Sequence, residues 1–218
     1  MSDGYLHRYF LNNGELKLHK WIHYFDIYER HFKRFVNNQP TILEIGVFGG
    51  GSLKMWQNYF GDGAKIIGID INPECKQFEH ENIEIFIGSQ DDEELLHSIS
   101  TKYPNIDIVL DDGSHMMRHM KKSFEVLYPK VSDNGVYFVE DTHTCYWSEY
   151  EGGLGKQDTF IEFAKAKIDE INAVHSRNSL EITDFTRSTD AICFYDSVVV
   201  FEKRKQGNRQ APTTAPML

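Results

Sequence analysis

Two clusters of ionisable residues stand out in this 218-residue chain: Asp111-Asp112-Gly113-Ser114-His115 and Glu140-Asp141-Thr142-His143. Asp112, Glu140 and Asp141, if held close together, repel one another unless a positive charge sits among them. Their hard oxygens suit Mg²⁺ or a similar cation, with water and ligand oxygens completing the shell. The plainer use of Asp111 and Asp141 is to cap turns and helices. Alternation along a strand aims neighbouring side chains apart, so a cation shared by Glu140 and Asp141 requires the strand to end at Glu140. His115 follows a Gly-Ser turn and is expected to open a helix, whose positive end disfavours imidazolium and leaves the ring able to take a proton. A general base acting on a hydroxyl needs that property. His119 and His143 are either partners of this group or ordinary surface residues, and Met116 and Met117 read as core filler.

A second group of residues suits a nucleoside-like ligand. Glu44-Ile45-Gly46-Val47-Phe48-Gly49-Gly50-Gly51-Ser52 combines an acid with a glycine-rich turn. Gly46 and Gly50 let the backbone approach a ligand, and Ser52 is placed to cap the following helix, whose free N–H groups attract a carboxylate. S-adenosylmethionine (SAM) fits there, with its carboxylate at the helix and its cationic end near Glu44. Asp70, 24 residues after Gly46, stands where an acid holds a ribose hydroxyl pair. Ser89 and Gln90 offer polar groups where an adenine would lie, and Asp111 closes the same edge. The turns could equally serve packing alone, and NAD is the competing ligand. The turn does not fit GxGxxG, and a ligand without a pyrophosphate needs no such cradle, so SAM is favoured.

Both groups require strands to present them. Apolar runs at 41–46, 65–70, 83–88, 106–111 and 135–140 read as strands. Between them lie helical stretches at 52–60, from Pro73, at 91–102 and at 115–131. Strand and helix in alternation predict a doubly wound α/β domain, mostly parallel, with ligands at the carboxyl ends of the strands. The runs 191–195 and 197–203 are so close that only a hairpin joins them, so the last strand runs antiparallel. Residues 17–37 space Trp21, Tyr24, Tyr28, Phe32 and Phe35 as an amphipathic helix. Residues 1–16 are expected to be a flexible terminus, 17–203 one domain and 204–218 a disordered tail. The stretch 144–160, rich in aromatics and glycine, reads as a substrate lid before a helix at 157–175.

Composition narrows the partners. Hydrophobic residues at 40% and charged residues at 26% are ordinary for a soluble protein. No apolar run is long enough for a bilayer and no signal peptide opens the chain, so a cytoplasmic protein without membrane insertion is expected. A net charge of −10 disfavours nucleic acid, whose binders need a basic surface. Arg118, Lys121 and Lys122 read as a solvated helix face. Cys75, Cys145 and Cys193 are odd in number and scattered, and read as reduced thiols.

The segments LEIGVFGGGSLKMW, IGIDI, GSQDD, LDDGSH, FVEDTHTCYW and FYDSVVVFEK resemble the mycinamicin and macrocin sugar O-methyltransferases, and are also similar to proteins called cephalosporin hydroxylases. The resemblance covers residues 20–203 and implies a Rossmann-like SAM-dependent fold with Mg²⁺ held by Asp112, Glu140 and Asp141, and with His115 as the base. The family's amino-terminal Lys-x-x-His-x-Tyr pattern matches at Lys20 and His23, but Phe25 stands in place of the tyrosine. The expected acceptor is a sugar or glycosylated small molecule, and a homo-oligomer is allowed. The rival readings are a nucleotide-dependent oxidoreductase or hydroxylase, for which no iron-binding facial triad stands out, and a catalytically silent binding module.

Overall fold

A computed structural model describes residues 4–214. Seven strands form one sheet in the order β3-β2-β1-β4-β5-β7-β6. They are β1 (Thr41–Ile45), β2 (Lys65–Asp70), β3 (Ile83–Ile87), β4 (Ile106–Asp111), β5 (Val131–Val139), β6 (Thr189–Tyr195) and β7 (Val198–Lys203). The first five pair in parallel, while β7 is antiparallel to both β5 and β6. The doubly wound sheet with its terminal hairpin is therefore as expected.

The parallel strands inside the β3 edge are covered on both faces, which is why these runs are mostly apolar. Alternate residues divide between two cores. Ile42, Ile66, Ile108 and Phe138 pack with α1 (Tyr5–Asn12), α2 (Tyr24–Phe32) and α3 (Gly51–Phe60) through Leu6, Tyr28 and Trp56. Leu43, Ile67, Val109 and Tyr137 pack on the other face with α4 (Glu93–Lys102), α5 (Met117–Leu127) and α6 (Phe160–Ile171) through Leu96, Met120 and Phe160. A short helix, α7 (Asp184–Ser188), adds Phe185 to the second core. Chain order reverses between β1 and β4, which opens a crevice at their carboxyl ends.

The amino-terminal reading needs correction. The helix expected over 17–37 is confined to Tyr24–Phe32, followed by a short 3₁₀ turn at Lys33–Phe35. The residues before it form an irregular stretch, in which the Lys17 carbonyl accepts from Gly51 N–H at 3.1 Å. The supposedly flexible 1–16 contains α1, whose Leu6 is fully buried. Its backbone N–H donates to Glu29 at 2.9 Å, so the helix is tied to α2. At the other end, Arg204 and Gln206 donate to the Ser188 and Arg187 carbonyls at 2.9 and 2.8 Å. The tail's last four residues lie outside those described.

Candidate active site

The crevice contains a cavity of about 520 Å³. Its first wall is the turn after β1. Gly46 has φ +96°, and a Cβ there would come within 2.1 Å of the Asp112 carbonyl oxygen. Only glycine lets the tips of β1 and β4 close together. Asp70 fixes this turn from the neighbouring strand. One carboxylate oxygen accepts the Val47 and Phe48 N–H groups at 2.9 and 3.0 Å, and the other accepts Asn72 N–H at 2.8 Å. Asp70 lines the cavity, but it is also a brace.

Gly46, Ser52, Asp70, Ser89 and Gln90 line the cavity, whereas Glu44, Gly50 and Asp111 do not. Ser52 does not cap α3; its hydroxyl donates to Glu44 at 2.9 Å. Gly50 is the left-handed residue before that helix and packs against the Phe78 ring. Glu44 is fully buried beneath the turn. Burial pushes its carboxyl up to about 7, against the pull of the Lys20 ammonium. Asp111 is likewise buried, and it accepts from Ser123 and Gln90 at 2.6 and 3.0 Å. Strand alternation turns it away from the cavity, and burial raises its carboxyl. Gln90 lines the cavity while its oxygen accepts Ser114 N–H at 2.6 Å, stitching the β3 and β4 turns together. Ser89 bonds to Asp91.

The opposite wall carries the acidic clusters. β5 stops at Val139, one residue before Glu140, and Asp141 is left-handed at φ 52°. Both carboxylates line the cavity, each with its own partners. Asp141 accepts from Tyr24 OH at 2.6 Å and lies 3.7 Å from His115 Nε2. His115 Nε2 also lies 3.9 Å from Asp112. One ligand atom from each of Asp112, His115 and Asp141 falls within 4.8 Å of the others, a group that could hold a metal ion.

Glu140 lines the same cavity but lies outside that group of three. It is 1% exposed and accepts from Tyr28 OH at 2.6 Å and Lys20 Nζ at 3.0 Å. Burial and neighbouring Asp112 drive its carboxyl well above the usual range, and Lys20 opposes them. Lys20 Nζ also lies 2.6 Å from Asp112 and 3.8 Å from Glu44. Burial alone would discharge this ammonium, but its three acidic neighbours outweigh that and hold its pKa above the ordinary lysine value. The positive charge that the sequence required among these acids is thus in part a lysine of the chain itself.

His115 also differs from expectation. The helix begins at Met117, capped by Met116, while His115 sits outside it with φ 57°. The helix-end argument therefore does not apply, and the charges nearest the ring are the two aspartates. His119 bonds to Ser114 Oγ at 2.8 Å and faces Asp91 at 3.1 Å, and His143 bonds to Ser197. Arg118 and Lys122 pair with Glu151 and Glu93, each at 3.0 Å, as a solvated face would.

Lys20, Tyr24 and Tyr28 are the residues that sequence reasoning undervalued. Phe25, at the place expected for a tyrosine, is buried against Phe10 with ring centroids 5.0 Å apart. The hydroxyls come instead from Tyr24 and Tyr28, four residues apart and so on one helix face. That spacing was available in the sequence, but its polar targets were not.

No protein-family model matches the chain. Demethylmacrocin O-methyltransferase of Streptomyces fradiae is 37% identical over 165 residues, 70% of this chain and 41% of that protein. Mycinamicin VI 2''-O-methyltransferase of Micromonospora griseorubida is 34% identical, over 87% of this chain and 50% of that protein. The MycE methyltransferase of the mycinamycin biosynthetic pathway, solved with Mg, SAH and mycinamycin VI, superposes with a TM-score of 0.80. That match has 32% identity and covers 96% of this chain and 55% of the other. Over most of its own length the chain is thus similar to the macrocin and mycinamicin sugar O-methyltransferases. It spans about half the length of the family members it matches. Among the described residues no helix is long and apolar enough to cross a membrane.

Proposed function

We propose that the chain transfers a methyl group from SAM to a hydroxyl of a sugar or glycosylated small molecule, assisted by Mg²⁺ and with His115 as general base. One observation carries this reading: the glycine turn with Asp70 and the Asp112–His115–Asp141 group open into the same cavity. The volume of about 520 Å³ is in the range of small-molecule and cofactor sites. Mycinamicin VI 2''-O-methyltransferase, and MycE solved with Mg, SAH and mycinamycin VI, support the same chemistry.

The donor set fits both groups. Bound SAM supplies an electrophilic methyl group, and the turn after β1 with Asp70 would hold it. Bound Mg²⁺ supplies positive charge that eases ionisation of a hydroxyl. Asp112 and Asp141 would hold it, with Glu140 lining the same cavity in its ion pair with Lys20. Magnesium prefers oxygen donors, so the His115 imidazole stays free for a proton. In this scheme His115 Nε2 takes the acceptor proton, and the Asp112 and Asp141 carboxylates offset the resulting charge on the ring. Tyr24 orients Asp141 through its hydroxyl. Positioning of the acceptor oxygen against the methyl group supplies much of the remaining acceleration.

Calorimetry with SAM, and with NAD as control, followed by labelled-methyl transfer to a panel of neutral glycosides, tests the reading. SAM should bind and NAD should not. EDTA should abolish transfer, Mg²⁺ should restore it, and Asp141→Asn should weaken metal binding measured directly with Mn²⁺. Preferential NAD binding, or undiminished transfer after verified metal removal, would overturn the proposal.

A further inference from the structure

An arc of aromatic rings stands around the Asp112, His115 and Asp141 group. Between ring centroids, Tyr150 is 6.2 Å from His115 and Trp147 is 6.0 Å from Tyr150. His143 is 4.8 Å from Trp147 and Trp21 is 6.0 Å from His143. The rings come from two separate stretches, the segment before α2 and the loop after β5, so only the fold assembles them. Trp21 and Trp147 are 52% and 45% exposed, whereas Trp56 is fully buried. A single exposed apolar residue needs no explanation, but neighbouring aromatic rings left open beside a cavity mark a binding surface.

The loop that carries Trp147 is held in place. Its N–H donates to Thr144 O at 3.0 Å and its carbonyl accepts from Gly152 at 2.8 Å. Gly152 is no hinge, since a Cβ there would meet three carbonyl oxygens at 2.6 Å. Trp21 itself lines the cavity and is followed in sequence by the helix that supplies Tyr24.

We propose that Trp21 and Trp147 form the acceptor platform, on which a neutral pyranose ring lies with its C–H face against the indoles and one hydroxyl turned to His115. This rests on the methyl-transfer reading and adds the residues that select the acceptor. A pyranose has an apolar face and a rim of hydroxyls, so it requires aromatic surface bordered by polar groups. The Trp21 and Trp147 rings carry no charge to pair with an anionic sugar, which makes a neutral glycoside the fitting class.

Saturation-transfer NMR on the full chain with S-adenosylhomocysteine and Mg²⁺ tests this, using methyl α-L-rhamnopyranoside and methyl β-D-glucopyranoside as probes. The ring C–H protons of at least one probe should receive saturation. Trp21→Ala and Trp147→Ala should each weaken that probe about three- to tenfold, with Trp147→Phe largely retaining it. Melting temperature and S-adenosylhomocysteine affinity should not change. Absence of transfer to both probes, or affinity unchanged from the wild type in both alanine variants, overturns the platform while cofactor binding leaves the methyl-transfer reading standing. A dimer that the alanine variants dissociate also overturns it, because the rings then cover one another between copies. Failure of the wild type to bind S-adenosylhomocysteine sinks the methyl-transfer reading, and the platform with it.

Discussion

Lys20 Nζ stands 2.6 Å from Asp112 Oδ2, joining the irregular segment before α2 to the tip of β4 across the cavity. The same ammonium lies 3.0 Å from Glu140, so one buried cation serves two carboxylates from different strand ends. Removing one partner of a buried ion pair leaves the others uncompensated. We expect Lys20→Met to lower the unfolding free energy of the metal-free protein by roughly 3–5 kcal/mol. Urea denaturation measures it, and an unchanged midpoint would show that the acids do not need the ammonium.

Glu44 should give the stability an inverse pH dependence. Its ordinary value is 4.5 and burial raises it to about 7 in the folded chain. The native state therefore binds this proton more tightly than the unfolded state. The stabilisation is complete below the unfolded value and is lost as pH rises through the folded one. Between about pH 5 and pH 8, the metal-free wild type should lose stability relative to Glu44→Gln. Parallel melting curves for the two proteins decide it, and a constant difference across the range would refute the assignment.

Asp70→Ala should weaken SAM binding and also destabilise the fold, because three backbone N–H groups lose their acceptor. A cost of about 1–3 kcal/mol follows for the part-buried Val47 donor left without a partner, while the exposed Phe48 and Asn72 donors turn to water. Calorimetry and thermal melts on the same sample check both parts. Loss of binding with no change in stability would mean that Asp70 faces the ligand alone.

His115 needs a substitution matched to its backbone. At φ 57° the residue is left-handed, a conformation that asparagine tolerates better than alanine does. His115→Asn should therefore melt near the wild type while kcat falls by about 10²–10⁴-fold, the range for losing a general base. Single-turnover rates at saturating cofactor, metal and acceptor give the answer. Near wild-type turnover would remove His115 from proton transfer.

The sequence by itself determined the order of strands and helices, the terminal hairpin and the strand ends where chemistry gathers. Those features come from local rules: strands buried on both faces must be mostly apolar, and two strands joined by Asp196 and Ser197 alone can only turn back on each other. It did not determine the direction of adjacent acids. Asp111 and Asp112, like Glu140 and Asp141, differ by one position, and a one-residue step sends side chains to opposite sides. Where β4 stopped decided that Asp112 and not Asp111 reached the cavity, and the end of β5 with the left-handed turn at Asp141 brought both Glu140 and Asp141 to it with different partners. Trp21, Tyr24, Tyr28, Phe32 and Phe35 carry helical spacing, yet the helix starts only at Tyr24. Before that point, the Lys17 carbonyl binding Gly51 N–H, and the attraction of Lys20 to Asp112, Glu140 and Glu44, involve residues far away in the chain. Periodicity records only what a segment can do alone; long-range charge and backbone pairing determined what this one does.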